Sequence, residues 1–297
     1  SHFNTKLNDK WSTGLYIHGD RRGDKFDNNK DSFLDLPIGN QFNVMNRWQY
    51  VNSEKGLISF LNIRYLNDEK QSGQIQYDPK IHKFSNMWWG SEVDTKRFDF
   101  SGKMGYVNPQ IPYQSLGFQF AYSDHNQNSY FGNRIYNINH ESLYLNTVYN
   151  SIISDTRHKI KTGINFSCDV YDEQVVNSDY NRKENNIGAF FEYSFDNLDN
   201  LNFTAGIRFD NHNLLGAFVT PRFHLRYTPW GKSAFRFSFG RGRRSASIFA
   251  ENQRLFASSR SINIQNDSGK IYGLSPEIAW NYGCLLYTSD AADEVRR

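Results

Sequence analysis

The residues of this 297-residue chain that could do chemistry are few, and they fall between its regular segments. In the run Asp27-Asn28-Asn29-Lys30-Asp31-Ser32-Phe33-Leu34-Asp35, the oxygen-bearing side chains Asp27, Asn29, Asp31 and Asp35 stand at positions 1, 3, 5 and 9. That is how a tightly curled loop offers hard oxygens to calcium. Two positions depart from the pattern: Ser32 stands at position 6, where glycine makes the sharp turn, and Ile38 at position 12, where a bidentate carboxylate belongs. The two readings are a structural calcium site and a solvated acidic loop. Trp88 and Trp89, adjacent in a long polar stretch, offer ring faces for ligand stacking or for packing within their own loop. Arg241, Arg243 and Arg244 follow Gly240, but without the G-x-G-x-x-G spacing or a helix pattern after it they make no phosphate cradle. They read instead as wall or rim charges that pair with carboxylates or attract an anionic ligand.

Nothing points to catalysis. The 8 histidines are scattered, and no Ser/His/Asp or Cys/His set has a usable spacing. Cys168 and Cys284 lie too far apart in sequence for a metal or redox motif. A net charge of +3 calls for no polyanionic partner, and nucleic acid is not expected. The chain is not expected to be an enzyme or to carry a cofactor, calcium aside.

The segments that must position these residues alternate with period two. Segments 41–50, 97–106, 142–149, 186–193, 220–227 and 274–282 each end on a tyrosine of their apolar face: Tyr50, Tyr106, Tyr149, Tyr193, Tyr227 and Tyr282. In 97–106, Phe98, Phe100, Met104 and Tyr106 share one face with Gly102, while Arg97, Asp99, Ser101 and Lys103 take the other. Between 157 and 170, His158, Ile160, Thr162, Ile164, Phe166 and Val170 oppose Arg157, Lys159, Lys161, Asn165 and Asp169. Short connections (51–55, 107–114, 150–156, 196–200, 229–233) alternate with long polar ones (20–40, 67–96, 124–140, 171–185, 241–270). A soluble sandwich has no reason to alternate loop length or to align tyrosines on every second strand end. A transmembrane barrel has both reasons: short turns on one side, long loops on the other, and an aromatic girdle at the water boundary.

With 38% hydrophobic residues and a mean hydropathy of −0.71, no run approaches the roughly 18 apolar residues of a spanning helix. A barrel strand needs an apolar residue only at every second position, so low mean hydropathy is expected of it. The fold class is therefore all-β: an antiparallel transmembrane barrel meander of about twelve strands, each using about nine to eleven residues to cross. The inward polar residues, among them Arg157, Lys161, Glu192, Arg208, Asp210, Arg222 and Arg236, belong to a lumen filled by water or protein.

Near the end of the alternating region stands Leu274-Ser275-Pro276-Glu277-Ile278-Ala279-Trp280-Asn281-Tyr282. It resembles the L-x-P-E-x-x-x-N-Y segment of TonB-dependent outer-membrane receptors. Gly240 to Arg244 leading into Ser247-Ile248-Phe249-Ala250-Glu251-Asn252 resembles the Gly-Arg-rich strand end of receptors of the Bacteroidetes type, and Thr220-Pro221-Arg222-Phe223 fits the same family. The resemblance implies a place in the wall of a barrel of about 22 strands around a plug. It also implies outer-membrane location, energy coupling through TonB, and import of a scarce ligand such as a metal chelate, cofactor or oligomeric nutrient. A passive porin is the alternative. No signal peptide or plug is legible, so residues 1–283 are expected to be a partial receptor barrel, partnered by outer-membrane lipid, its own plug, the TonB complex through the N-terminal region, and the imported ligand. Residues 284–297, CLLYTSDAADEVRR, break the alternation and resemble the translation of a sequencing adaptor, so they are expected to be an artefact.

Overall fold

Alternating sequence can satisfy its backbone only by pairing with neighbours, and short polar turns make the neighbour in sequence the neighbour in space. The computed structural model, which describes residues 1–230 and 233–288, has that arrangement. Its strands are β1 (His2–Lys6), β2 (Trp11–Arg22), β3 (Ile38–Asn52), β4 (Leu57–Gly73), β5 (Gly90–Val107), β6 (Ser115–Phe131) and β7 (Arg134–Ile153). They continue with β8 (Asp155–Val175), β9 (Ser178–Asp179), β10 (Arg182–Asp196), β11 (Leu201–His212), β12 (Gly216–Trp230), β13 (Ser233–Arg244) and β14 (Glu277–Thr288). All pairs are antiparallel, β9 pairs only β8, and no described pair joins β14 to β1, so the sheet is open at both edges. Among the described residues, helix is confined to Pro79–His82, Ile248–Glu251 and a 3-10 turn at Gln253–Ala257.

The sheet is the inverse of a soluble one. Ile164, Ile187, Ile207 and Phe209 on one face are exposed, whereas Asn165, Glu192 and Asp210 on the other are buried. An exposed apolar face and a covered polar face are what a wall between lipid and a filled lumen requires.

Three expectations need correction. The described residues form 14 strands rather than about twelve, because β1 and the two-residue β9 carry too little alternation to be read from sequence. Two of the long polar connections, 124–140 and 171–185, are mostly strand, not loop. The stretch 124–140 is a hairpin in which β6 runs to Phe131 and β7 starts at Arg134, turning at Gly132 with φ +59°. Within 171–185, β8 reaches Val175 and β10 starts at Arg182. At 21 residues, β8 is about 70 Å long at about 3.3 Å per residue, far more than its tilted crossing of an apolar band about 25 Å tall requires. Above the bilayer both faces meet water or protein, so the hydropathy period disappears while the hydrogen-bond ladder continues.

The third correction concerns the last strand. It does not end at Tyr282 but continues in register, with Cys284 opposite Phe237 and Leu286 opposite Phe235, to Thr288 opposite Ser233. Leu285 and Tyr287 thereby fall on the polar face, opposite Arg236 and Ala234. The remainder of the expected artefact, 289–297, and part of the expected turn 229–233 lie outside the described residues.

Candidate functional site: the inner wall and its inserted segment

The polar face is laced by ion pairs, some across strands and some along one strand. Glu192 on β10 meets Lys161 of β8 at 3.4 Å on one side and Arg222 of β12 on the other. Arg222 reaches it over β11 because the residue between them is Gly206, where a Cβ would stand 3.0 Å from the Arg222 side chain. Arg208 holds Asp210 through both Nε and Nη2 at 2.7 Å, and Arg97 holds Asp99 through Nε at 2.9 Å.

At the long-strand end, residues 245–276 fold back over the polar face of β7, β8 and β10. The contact has an apolar part, in which Phe249, Phe256 and Ile271 pack on Tyr136 and Val175, and Phe256 stacks on Tyr136 at 5.1 Å. It also has a polar part centred on Glu173, which is 1% exposed. That carboxylate accepts from Tyr136 Oη at 3.1 Å, Arg182 Nη1 at 2.8 Å and Tyr272 Oη at 2.5 Å. Arg182 also donates through Nε to Glu184 at 2.8 Å, and its guanidinium lies 3.7 Å from the centre of the Tyr171 ring and 4.8 Å from that of Tyr272. Glu184 accepts from Ser245 Oγ at 3.0 Å and faces His212 Nε2 at 3.3 Å. Burial, and then the bond to Glu173, push the Tyr272 hydroxyl well above its ordinary pKa, so it stays a donor. Beside this clamp a cavity of about 450 Å³ is lined by Tyr180, Arg182, Asn266, Lys270 and Tyr272.

Sequence reading missed this site. Glu173, Arg182 and Glu184 lay in a stretch taken for loop, and the available signal was Arg182 and Glu184 at the period-two spacing of one strand face.

The residues singled out from sequence lie in three separate places: the loop after β2, the β4–β5 connection and the end of β13. Asp27 Oδ1 and Asp31 Oδ1 accept from the backbone N–H groups of Asp31 (3.1 Å) and Phe33 (2.8 Å), while Asp35 Oδ2 accepts from that of Asn28 (2.8 Å). Asn29 Oδ1 also accepts from the Asp31 N–H, at 3.2 Å. Among the described residues no group of three or more His, Cys, Asp or Glu side chains is placed to hold a metal. Trp89 packs on Phe33 at 6.2 Å; its N–H donates to Gln74 Oε1 at 2.7 Å and its carbonyl accepts from the Gln74 N–H at 2.9 Å, closing the base of the β4–β5 connection. Trp88 stands beside it, half-buried.

The three arginines divide between two faces. Arg241 and Arg243 continue the Phe235-Phe237-Phe239 side of β13, where Arg241 lies over Trp280 at 5.5 Å. Arg244 is on the polar side, paired with Glu277 at 2.6 Å and Glu251 at 3.1 Å. The period of two sends residues 241 and 243 to the face opposite 244. All six girdle tyrosines lie on the apolar face. Tyr50, Tyr106, Tyr149, Tyr193 and Tyr227 sit near the strand ends at Asn52, Val107, Ile153, Asp196 and Trp230, whereas Tyr282 sits in mid-strand.

An open wall of long antiparallel strands, apolar outside and ion-paired inside, with a segment folded against its inner surface, defines a piece of a large outer-membrane barrel. Residues 6–283 match the family described as TonB dependent receptor-like, beta-barrel, and the chain belongs to that family. Among solved structures it is similar to the siderophore receptor PirA from Acinetobacter baumannii, with a TM-score of 0.73 at 11% identity over 97% of this chain and 47% of that one. PirA from Pseudomonas aeruginosa gives 0.69 at 11% over 96% and 48%. The alcaligin outer-membrane receptor FauA from Bordetella pertussis gives 0.68 at 12% over 98% and 46%. The chain thus spans about half the length of each. None of the curated protein sequences compared with the chain matches it. The family and these neighbours are receptors and transporters, not enzymes.

Proposed function

We propose that this chain forms part of the wall of an energy-coupled outer-membrane transporter whose cargo is an anionic metal chelate. The single observation that carries the reading is the cavity of about 450 Å³ on the inner wall, where Arg182 and Lys270 stand beside Tyr180 and Tyr272. Lys270 and the two aromatic rings suit a ligand that is negatively charged and partly flat, while Arg182 is held by Glu173 and Glu184. Family membership and the siderophore receptors of the same fold support the transport half of the reading. The plug, the TonB complex and the imported ligand are partners within this proposal.

The test is uptake of radiolabelled ferric chelates by cells carrying the whole receptor, with and without an energised inner membrane. Saturable uptake that stops on de-energisation is expected. Lys270→Ala should weaken binding by about tenfold or more, as for loss of a hydrogen bond to a charged group. Uptake that continues without energy would make the protein a passive pore, and unaltered affinity in Lys270→Ala would remove the cavity from the cargo route.

A further inference from the structure

The turn between β11 and β12, residues 213–215, hangs on one imidazole. His212 Nδ1 accepts from the backbone N–H groups of Leu214 and Leu215, each at 3.2 Å, and neither N–H has another acceptor among the described residues. An accepting ring nitrogen carries no proton, so the imidazole is neutral with its hydrogen on Nε2, which points to Glu184 Oε2 at 3.3 Å. We propose that His212 is a pH-sensitive switch: the neutral ring holds this turn closed against the inserted segment, and the protonated ring releases it. A proton on Nδ1 would meet two N–H groups head-on, so both bonds must break. Leu214 and Leu215 pack on the apolar cluster that contains Tyr136, Phe249 and Phe256, and letting the turn go uncovers that side of the cluster.

The turn favours the neutral ring, and the charges around it favour the protonated one, which gives the switch its two states. Glu173 and Glu184 share the guanidinium of Arg182, and their other donors, Tyr136, Tyr272 and Ser245, are neutral. This buried group is one positive charge short, and a protonated His212 supplies it. Burial raises the Glu184 carboxyl, but the bonds from His212 and Arg182 outweigh it and hold the carboxyl below its ordinary value of 4.5. Glu184 therefore stays ionised across the range in which histidines change charge. The remaining charges near the ring are already engaged. On its own strand, Asp210 is held by Arg208 through Nε and Nη2 at 2.7 Å. Its cross-strand partners, Asn186 of β10 and Gly216 of β12, carry no charge. On β13, Arg243 donates to the Leu215 carbonyl at 2.8 Å, and Arg244 is paired with Glu251 and Glu277. The inserted segment keeps its second fastening, from Tyr272 to Glu173, when the turn is released. The switch does not depend on the cargo reading.

The experiment is amide exchange on the whole receptor in nanodiscs between about pH 8 and about pH 5, with labelling times scaled to the pH dependence of intrinsic exchange. Protection of the Leu214 and Leu215 amides should fall by about tenfold or more on acidification, as for the loss of two neutral hydrogen bonds. In His212→Asn, whose side-chain oxygen takes the place of Nδ1 and cannot be protonated, protection should hold at both ends of the range. His212→Gln, which carries its amide past the turn, should leave the two amides unprotected throughout. Glu184→Gln removes the opposing pull and should move the release to lower pH. Heat-modifiable migration in gels checks the folding of each variant, and His212→Gln carries the test if His212→Asn does not fold. Parent protection that stays within about twofold over the range overturns the proposal. So does a fall in His212→Asn as large as the parent's, which would assign the acid effect to another group, or parent-like protection in His212→Gln.

Discussion

Tyr272 Oη donates to Glu173 Oε2 at 2.5 Å across 99 positions of sequence, and this contact fastens residues 245–276 to the inner wall. Glu173 is held from the wall by Tyr136 and Arg182 as well, so the segment docks onto a carboxylate already fixed in place. The docked segment covers the polar face of β7, β8 and β10 at their long-strand end.

Removing that one donor should loosen the segment without unfolding the wall. Tyr272→Phe keeps the ring between Phe249 and Arg182 and deletes only the hydroxyl. The loss is about 1.5–3 kcal/mol for a bond to a charged acceptor, or about ten- to a hundredfold in local opening. Amide exchange of residues 249–256 would read it. The raised pKa of Tyr272 gives the sign of the pH effect: the contribution is complete below the ordinary value of 10.0 and is lost as pH rises through the higher folded value. Protection in the parent should therefore be flat between about pH 6 and 9.

The tyrosine ring should prove to have five members. Tyr50, Tyr106, Tyr149, Tyr193 and Tyr227, replaced singly by Trp in the membrane-embedded receptor, should be quenched by lipids brominated near the head group. Tyr282→Trp should be quenched better by lipids brominated deep in the chain, because β14 carries on past it to Thr288. Equal depth for all six would return Tyr282 to the girdle.

Calcium binding at Asp27, Asn29, Asp31 and Asp35 remains a proposal with a clear cost. The ion would have to displace bonds to the backbone N–H groups of Asn28, Asp31, Ser32 and Phe33. The loop is also tied to its neighbour through Lys25 Nζ to the Ile75 carbonyl at 2.6 Å. Protease resistance of the loop should consequently be the same in chelator and in calcium. Protection that saturates at or below about 1 mM calcium would establish the site.

The last segment offers a test at the level of the gene. Leu285 and Tyr287 occupy polar-face positions, whereas Cys284 and Leu286 keep to the apolar side. We propose that residues 284–297 are adaptor-derived. Resequencing with a library of different chemistry should give a strand with polar residues opposite Arg236 and Ala234, and recovery of CLLYTSDAADEVRR would reject the proposal.

Much of the fold was legible because a lipid boundary imposes its own period on sequence. Where a strand has lipid on one side, every second residue must be apolar, so the faces of segments such as 97–106 and 157–170 could be read directly. The aromatic strand ends and alternating turns then fixed the antiparallel order. Above the bilayer that constraint lapses. The upper parts of β6, β7 and β8 continue the backbone ladder with polar side chains on both faces, such as Asn137 against Gln174, and their polar sequence looked like loop. The inner site was hidden for a related reason. Glu173, Arg182, Glu184 and Tyr272 are ordinary surface residues by composition, and only the fold-back of 245–276 removes them from water and makes them depend on one another. The same is true of the arginines: their types announced charge, but strand alternation and the partners across β13 and β14 decided that Arg241 turns outward and Arg244 inward. Local sequence determined which face each strand shows to lipid, because that choice is made residue by residue. Long-range contact decided what covers the other face, because burial of a charge is settled only by the partners that tertiary structure supplies.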